Sequence, residues 1–323
     1  MSELGVCYVA DTNFLYPTLL SITSLREFVP AEELDVFVVV FSDPSLDFAA
    51  IRDGTRHLGI TFIEVDRDGI PGFEGVDWQQ THVSPAAAGR FLLPALLPKR
   101  TQRILYIDGD TLFVGDPARL LAFHPPPGKL AVVADAIDFF RQDNSPNGRT
   151  TRAYCTSLGI PDTESYFNSG VILVDRESWA GIAAEALTFF ADHSALCTFH
   201  DQSALNAIIK GRKVALSPVW NYQSRFRYWG DPPGLVPHLL HFAGAEKPWT
   251  GDVEPWRDIR PGLLAFAETL AHLDLPRGHL SEARIATHNR QFHDLKHRIR
   301  ALVDYRRMRK RWALQRLHET AAA

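Results

Sequence analysis

The sequence predicts an α/β protein built on a largely parallel sheet covered by helices on both faces. Two observations carry that reading. Between residues 5 and 65, short apolar β-branched runs alternate with longer runs of helical period, the mark of βαβ units. The composition, 46% hydrophobic and 22% charged over 323 residues, supplies the core that one large domain or two smaller ones would need.

The elements follow in order. Gly5–Ala10 reads as a strand, Thr18–Phe28 as a helix, Leu34–Phe41 as a strand, Phe48–Leu58 as a helix and Ile60–Val65 as a strand. Ser84–Leu97 has helical period, with Arg90 inside an apolar stretch, and Pro98 closes it. Arg103–Ile107, Leu130–Ala134, Val171–Val174 and Val236–Phe242 are further strands; Ile182–His193 and Gln202–Lys210 are helices. Two long segments resist regular assignment. Asp135–Tyr166 is polar and dotted with Gly and Pro, and Ser217–Pro237 is rich in Trp, Tyr, Arg and Pro. Long loops in a compact domain usually serve as lids or binding loops, so residues 136–165 are expected to be mobile and to close over a ligand.

Global properties exclude several classes. A net charge of −4 gives no reason to expect a nucleic-acid partner. Cys7, Cys155 and Cys197 are scattered, odd in number and without a Cys-x-x-Cys pair, which predicts buried, reduced thiols and a cytoplasmic protein. The chain enters an apolar strand at Val6 with no basic leader, and no apolar stretch reaches the roughly 18 residues of a membrane span.

Asp108-Gly109-Asp110 is the most informative motif, because it stands where the strand Arg103–Ile107 ends. Side chains two apart on an extended chain share a face, so both carboxylates can address one ligand, and Gly109 allows close approach. Two such acids repel unless a cation or shared proton lies between them, and a hard divalent ion carrying phosphate oxygens suits the place. A solvated acidic turn would give the same triplet. Asp11, Asn13 and Phe14 follow the first strand at the edge where open α/β sheets bind ligands; they could meet a base and ribose, or merely form an Asx turn capping a helix. Asn168, Ser169 and Gly170 precede a strand, where Asn168 could also be a turn residue. Asp201 reads as a helix N-cap, with Gln202 projecting from the first turn. His241 ends a strand and could complete a metal site with the two carboxylates. Gly244 and Lys247 beyond it suit a phosphate, and Pro248 and Trp249 stiffen the turn. A lone histidine there would more often be a satisfied core residue; His, Gly and Lys at this spacing after Asp-x-Asp are much rarer by chance.

Together the blocks at 9–14, 103–110, 166–175, 200–206 and 241–249 resemble those of glycosyltransferase family 8, retaining enzymes of the GT-A fold, over roughly residues 5–250. The resemblance implies a GT-A, Rossmann-like mixed and mostly parallel sheet with flanking helices as a catalytic domain at 1–265, followed by a basic helical extension at 266–323. It implies Mn²⁺, or Mg²⁺, held by Asp108, Asp110 and His241 on the diphosphate of a UDP-sugar. Val9, Ala10, Asp11, Asn13 and Phe14 would bind uridine; a tyrosine is frequent where this chain has Phe14, so stacking should persist and a hydroxyl contact is lost. Arg90, Asp108, Gly109, Asp135, Asn168, Asp201 and Gln202 would surround the donor, with Gly244 and Lys247 on its pyrophosphate.

The implied reaction moves glucose or galactose from UDP to a glycan or glycolipid. Retention needs either a covalent carboxylate intermediate or attack on the face that UDP leaves. Asp201 and Gln202 are the nearest candidates; an amide is a poor nucleophile, which favours same-face attack with Gln202 as stabiliser. A phosphotransferase or pyrophosphorylase would carry a Gly-rich phosphate loop after the first strand, and Val9–Phe14 has none. A sugar-binding or merely donor-hydrolysing protein is the other alternative. Finally, residues 281–323 hold eleven Lys/Arg against four acids, interleaved with Tyr305, Trp312 and aliphatic residues. That basic amphipathic pattern predicts an anionic membrane surface, at the inner face, as partner; helices packed on the core or on a second subunit are the other reading.

Overall fold

Strands β1 (Leu4–Ala10), β2 (Asp35–Phe41), β3 (Ile60–Val65), β4 (Arg103–Ile107), β5 (Thr111–Phe113), β6 (Leu130–Ala134), β7 (Phe167–Asp175), β8 (Lys213–Ala215), β9 (Tyr222–Gln223) and β10 (Leu239–His241) build two sheets in the computed structural model. The structure describes residues 3–41, 43–44, 46–66, 89–232, 234–244, 247–249, 259–275, 295, 299 and 302–323. The main sheet has the order β3-β2-β1-β4-β7-β6-β8. Strands β3, β2, β1 and β4 pair in parallel, β7 runs antiparallel to β4 and β6, and β8 returns parallel to β6. The expected mixed, mostly parallel sheet is therefore present.

Alternation along each strand divides the core. Val6 and Tyr8 of β1 join one apolar cluster with Val36, Val38 and Leu105, while Cys7 and Val9 join another with Phe37, Val39 and Ile104. A strand buried on both faces has no polar side to show, which is why these segments read as unbroken apolar runs. All three cysteines are free and buried.

Four expectations need correction. The first helix runs over Thr12–Arg26, six residues earlier than Thr18, because Asp11 caps it and Pro17 is accommodated inside it. The helix expected at Gln202–Lys210 is His200–Ile209; Asp201 lies in its first turn and is not its N-cap. Strand β7 begins at Phe167, so Asn168, Ser169 and Gly170 sit within the strand, beside a register shift between Val132 and Val133 of β6. His241 ends a strand of the small sheet β5-β10-β9, and does not belong to the main one.

The irregular segment Asp135–Tyr166 contains helices at Asp138–Arg141 and Pro146–Ser157. The second is announced by Ser145, whose side chain accepts from Gly148 N, followed by Pro146 at the first helical position. Arg141 clamps the segment by donating to the Glu164 and Pro161 carbonyls at 2.6 and 3.0 Å. Cys155, Leu158 and Ile160 pack with Tyr166 and Ala207. The segment expected to be irregular thus holds two helices and packs on the core. Residues 84–88 of the expected Ser84–Leu97 helix lie outside the described residues; beyond them a short 3₁₀ turn at Arg90–Leu92 leads into the helix Leu93–Leu96.

Most of the tail 281–301 also lies outside the described residues. The helix Tyr305–Thr320 docks on the core: Leu314 is buried, Lys310 Nζ sits 3.7 Å from the Phe140 ring centroid, and His318 Nδ1 meets Ser217 Oγ at 2.6 Å. The chain end follows on β8, with Ala322 N donating to Ala215 O at 3.0 Å. The helix Arg260–Thr269 runs across position 265 and buries Leu263 in the same core cluster that contains Leu314. No helix among the described residues is long and apolar enough to cross a membrane.

Candidate active site

Strand β4 delivers Tyr106 and, two residues on, Asp108 to the same face. Tyr106 Oη donates to Asp108 Oδ1 at 2.6 Å, and Asp108 N bonds Gly170 O of β7 at 2.8 Å. The chain then turns through Gly109 into β5, carrying Asp110 to the small sheet, where Phe242 N donates to Asp110 O at 2.9 Å. Gly109 is required by the first helix: a Cβ there would lie 2.1 Å from Thr18 Oγ1. The close approach is thus internal, made by Thr18.

Asp108, Asp110 and His241 converge, with one potential ligand atom from each lying within 4.8 Å of the others. His241 Nε2 is 3.4 Å from Asp110 Oδ1 and 3.7 Å from Asp108 Oδ2. The ring is oriented from behind, where Nδ1 lies 2.8 Å from Asn221 Oδ1. Donation from Nδ1 to that acceptor leaves Nε2 as the free ligating nitrogen, the arrangement by which metal-binding histidines are usually aimed. Asn221 in turn donates from Nδ2 to Asn168 Oδ1 at 2.9 Å. Lys247 Nζ bonds Asp110 Oδ2 and the Phe242 carbonyl. Burial pushes the Asp110 carboxyl up, but His241 and Lys247 beside it outweigh this and hold it well below the usual range. Burial likewise disfavours the His241 charge, and Asp110 and Asp108 reverse that, raising its pKa. Two acids and an imidazole in one pocket, with Lys247 bonded to Asp110, form a donor set suited to a divalent ion.

A second network adjoins the first. Arg90 is buried, with Trp179 Nε1 donating to its carbonyl at 2.9 Å. Its guanidinium lies 4.4 Å over the Tyr106 ring and reaches Asp108 Oδ1, Asp201 Oδ2 and the Ser169 carbonyl at 3.2, 3.2 and 2.9 Å. Burial works against the Arg90 charge, but Asp201, Tyr106 and Asp108 keep it protonated. Burial raises the Asp201 carboxyl, opposed by Arg90 and reinforced by Asp108. Gln202 Oε1 accepts from Ser169 N at 3.0 Å, and its Nε2 donates to Asp135 Oδ2 at 3.1 Å. That same oxygen accepts from Asn168 Nδ2 at 2.9 Å. Each of these side chains has its orientation fixed by another.

Arg90, Asp108, Asp135, Asn168, Asp201, Gln202 and Gly244 line one cleft of about 1010 Å³. Gly244 adopts φ +107°, a backbone few other residues take, with open space where a Cβ would stand. Asp11, Asn13 and Phe14 do not line this cleft. Asp11 Oδ1 caps the first helix, accepting from Asn13 N and Phe14 N, as the Asx-turn alternative requires. Phe14 remains 37% exposed, with Lys247 Nζ 5.8 Å from its ring centroid, while Val9 and Ala10 are buried in β1. Sequence reasoning missed Tyr106 and Asn221. A tyrosine two residues before the first acid of Asp-x-Asp, in an aliphatic strand, was the available signal for one; Asn221 lay hidden in an aromatic-rich segment.

The mixed, mostly parallel sheet, with the Asp108, Asp110 and His241 cluster where β4 passes into the small sheet, is a GT-A type of fold. The profile of glycosyl transferase family 8 matches residues 5–252, and the chain belongs to that family. It is 30% identical over 198 residues to general stress protein A of Bacillus subtilis, covering 56% of this chain and 65% of that one. It is 26% identical over 281 residues to the lipopolysaccharide glucosyltransferase WaaO of Escherichia coli, covering 82% and 77%. Among solved structures it resembles the galactosyltransferase LgtC bound to donor and acceptor sugar analogues, with a TM-score of 0.67 at 22% identity over 84% of this chain and 97% of that one, a likeness of fold.

Proposed function

We propose that this glycosyltransferase moves a hexose, glucose or galactose, from UDP to a glycan or glycolipid acceptor of the lipopolysaccharide type, with retention and with Mn²⁺ or Mg²⁺ bound by Asp108, Asp110 and His241. The observation that carries the reading is the convergence of those three side chains beside a cleft holding Arg90, Asp135, Asn168, Asp201 and Gln202. Similarity to a lipopolysaccharide glucosyltransferase and, at 24% identity over 262 residues, to a lipopolysaccharide 1,3-galactosyltransferase of Salmonella typhimurium supports the acceptor class. Residues 1–265 are read as the catalytic unit and 266–323 as an extension of it.

A bound divalent ion supplies charge neutralisation to the departing diphosphate. The chain's own residues do the rest. Lys247 turns from Asp110 towards the pyrophosphate, and Gly244 lets backbone approach it. Asp135, Asn168 and Gln202, locked by mutual hydrogen bonds, present fixed polar groups to the sugar hydroxyls. Asp201 is engaged by Arg90 and, at 3.4 Å, by Ser169 Oγ. A carboxylate so engaged is a weak nucleophile, which favours attack from the face UDP leaves, with the diphosphate taking the acceptor's proton and Gln202 stabilising positive charge at the anomeric carbon. The test is a hydrolysis and transfer panel of UDP-glucose and UDP-galactose with MnCl₂. Chelation is expected to stop turnover; metal-independent transfer would overturn the metal assignment.

Uridine selectivity is the accompanying expectation. Phe14 offers a stacking face at the end of β1, beside Lys247. Calorimetry with Mn²⁺ is expected to show UDP binding at least about tenfold more tightly than GDP or ADP, roughly 1.4 kcal/mol. Equal affinities would refute the uridine pocket.

The outer face of the C-terminal helix suits an anionic membrane. Tyr305, Arg309, Trp312 and Arg316 follow helical spacing; Tyr305 and Trp312 are 66% and 60% exposed, and Leu302 and Val303 stand exposed nearby. Aromatic and aliphatic side chains sink into the interface while each cation adds roughly 1 kcal/mol of attraction. Because the opposite face is part of the core, point substitutions are the proper test. Tyr305→Ser with Trp312→Ser is expected to release the protein from phosphatidylglycerol vesicles while donor hydrolysis persists. Full-length protein that stays in the supernatant at low salt would exclude the membrane.

A further inference from the structure

The cleft has two electrostatic ends. One holds Asp108, Asp135 and Asp201 around Arg90. The other is lined by four cationic side chains, Arg225, Arg306, Arg307 and Lys310, with Asp143 and Asp304 among them. Those two acids are already engaged: Lys310 Nζ lies 3.1 Å from Asp143 Oδ2, and Arg307 Nε 3.7 Å from Asp304 Oδ2. Arg225 and Arg306 are exposed, and neither has a carboxylate within ion-pair distance among the described residues. Arg307 Nη1 is buried without a hydrogen-bond partner.

This excess of positive charge is unfavourable as it stands. Arg306 and Arg307 occupy the first turn of the helix Tyr305–Thr320, whose N-cap Asp304 accepts from both their backbone N–H groups, so a single carboxylate faces the positive end of the helix dipole and two guanidinium charges. Lys310 is nine-tenths buried between Phe140 and Trp229, and burial lowers its pKa although Asp143 supports the charge. Like charges gathered on one wall of a cleft, against a helix dipole, are relieved by a multivalent anion, which an arginine fork binds well.

We propose that this end of the cleft is an acceptor subsite for a phosphorylated sugar: the acceptor glycan carries a phosphate that Arg225, Arg306 and Arg307 bind, while its hydroxyl reaches the donor at the acidic end. The proposal rests on the transferase reading and adds the chemical class of its acceptor. It also gives the inner face of the C-terminal helix a role distinct from the outward face carrying Tyr305 and Trp312.

Glucose 6-phosphate and glucose are suitable probes, titrated into the full chain saturated with UDP and MnCl₂ so that the donor's own phosphate site is filled. Glucose 6-phosphate is expected to bind at least tenfold more tightly than glucose. Arg225→Gln with Arg306→Gln is expected to remove that preference, whereas Arg306→Lys, which keeps the charge, retains most of it. Titration of the double variant with UDP reports whether its cleft is intact; if it is not, the single substitution Arg306→Gln is read instead, with a loss of at least threefold expected. Equal binding of the two probes, or an unchanged preference in the variants, overturns the subsite. Vesicles of phosphatidylglycerol separate the other source of phosphate: if the double variant loses vesicle binding but keeps its preference for glucose 6-phosphate, the cations serve lipid headgroups and the subsite falls. Failure of UDP to bind at all would count against the donor reading, and the effect of Arg306→Gln on the preference for glucose 6-phosphate would still decide the subsite.

Discussion

Asp110→Ala is expected to lower hexosyl transfer by about a thousandfold or more, roughly 4 kcal/mol of transition-state stabilisation at about 1.4 kcal/mol per factor of ten. The carboxylate is 6% exposed and is the only one of the pair that contacts both His241 and Lys247 among the described residues. On the proposed reading only Asp108 and His241 would remain to hold the ion, and Lys247 loses its carboxylate partner. The structural cost should be about 2 kcal/mol, in the range of one buried charge-assisted hydrogen bond. That cost has a definite pH dependence. The folded-state pKa of Asp110 lies below its unfolded value of roughly 3.9, so its contribution is fully present above that value and disappears as pH falls through the folded one. The stability gap between wild type and variant should therefore widen as pH falls through the raised pKa of His241, whose charge Asp110 supports, and close only in strong acid. Urea titrations across pH measure the gap, and Mn²⁺ titration measures the lost ion. A variant that keeps metal-dependent transfer would remove Asp110 from the metal site.

Strands were the legible part of this fold, for a physical reason. A strand buried on both faces needs apolar side chains at every position, and β1, β2 and β4 announce themselves as such runs. Helix bounds were less legible, because their signals are single residues. Pro17 suggests a boundary where the helix passes through, and Asp11, which caps it, looks equally like a ligand-binding acid. The helix Pro146–Ser157 escaped because its sequence is polar: only Gly148 and Cys155 are buried in it, too few to make an apolar stripe.

The candidate site divides in the same way. Asp108, Asp110 and His241 were readable as a set because unpaired acids at a strand end require a cation, and the structure brings all three together. What could not be read was the support. Asn221 fixes the His241 ring from a segment with no regular pattern, and Tyr106 serves Asp108 from the middle of a strand that looks purely structural. Gly170 depends on distant segments in the same way. A Cβ there would meet His241 Cε1 at 2.3 Å and Asp108 Oδ2 at 2.7 Å, so the glycine is what allows two potential ligands to meet. Support of this kind depends on contacts between distant segments, and no local pattern encodes it. The C-terminal helix shows the limit most clearly. Its composition gave a basic pattern interleaved with aromatic and aliphatic residues, but only packing reveals that the face with Lys310 and Leu314 turns inward and that Arg306 and Arg307 reach the cleft.

Arg90→Met is expected to be the most destabilising single change at the site. The side chain is 5% exposed and connects β4, β7 and the helix His200–Ile209 through Asp108, the Ser169 carbonyl and Asp201. Methionine fills much of the same volume, so the expected loss comes from charge and hydrogen bonding more than from a cavity. Removing one partner of a buried ion pair costs about 3–5 kcal/mol, because the other is left charged and desolvated. Here Asp201 would be the stranded group. Burial already raises its pKa against the opposing pull of Arg90, and loss of the arginine raises it further. The variant should thus lose less stability as pH falls, where protonation relieves the stranded carboxylate, and more as pH rises. Calorimetric unfolding is expected to show Tm lowered by roughly 10 °C at neutral pH. Arg90→Lys restores a charge but not the two-pronged geometry, since an ammonium cannot meet the Ser169 carbonyl and Asp201 through one nitrogen and Asp108 through another in a single plane. It should recover part of the stability and little of the transfer. A methionine variant within about 1 kcal/mol of wild type, the range of ordinary surface changes, with transfer unimpaired, would show that Arg90 neither holds the site together nor orients its acids.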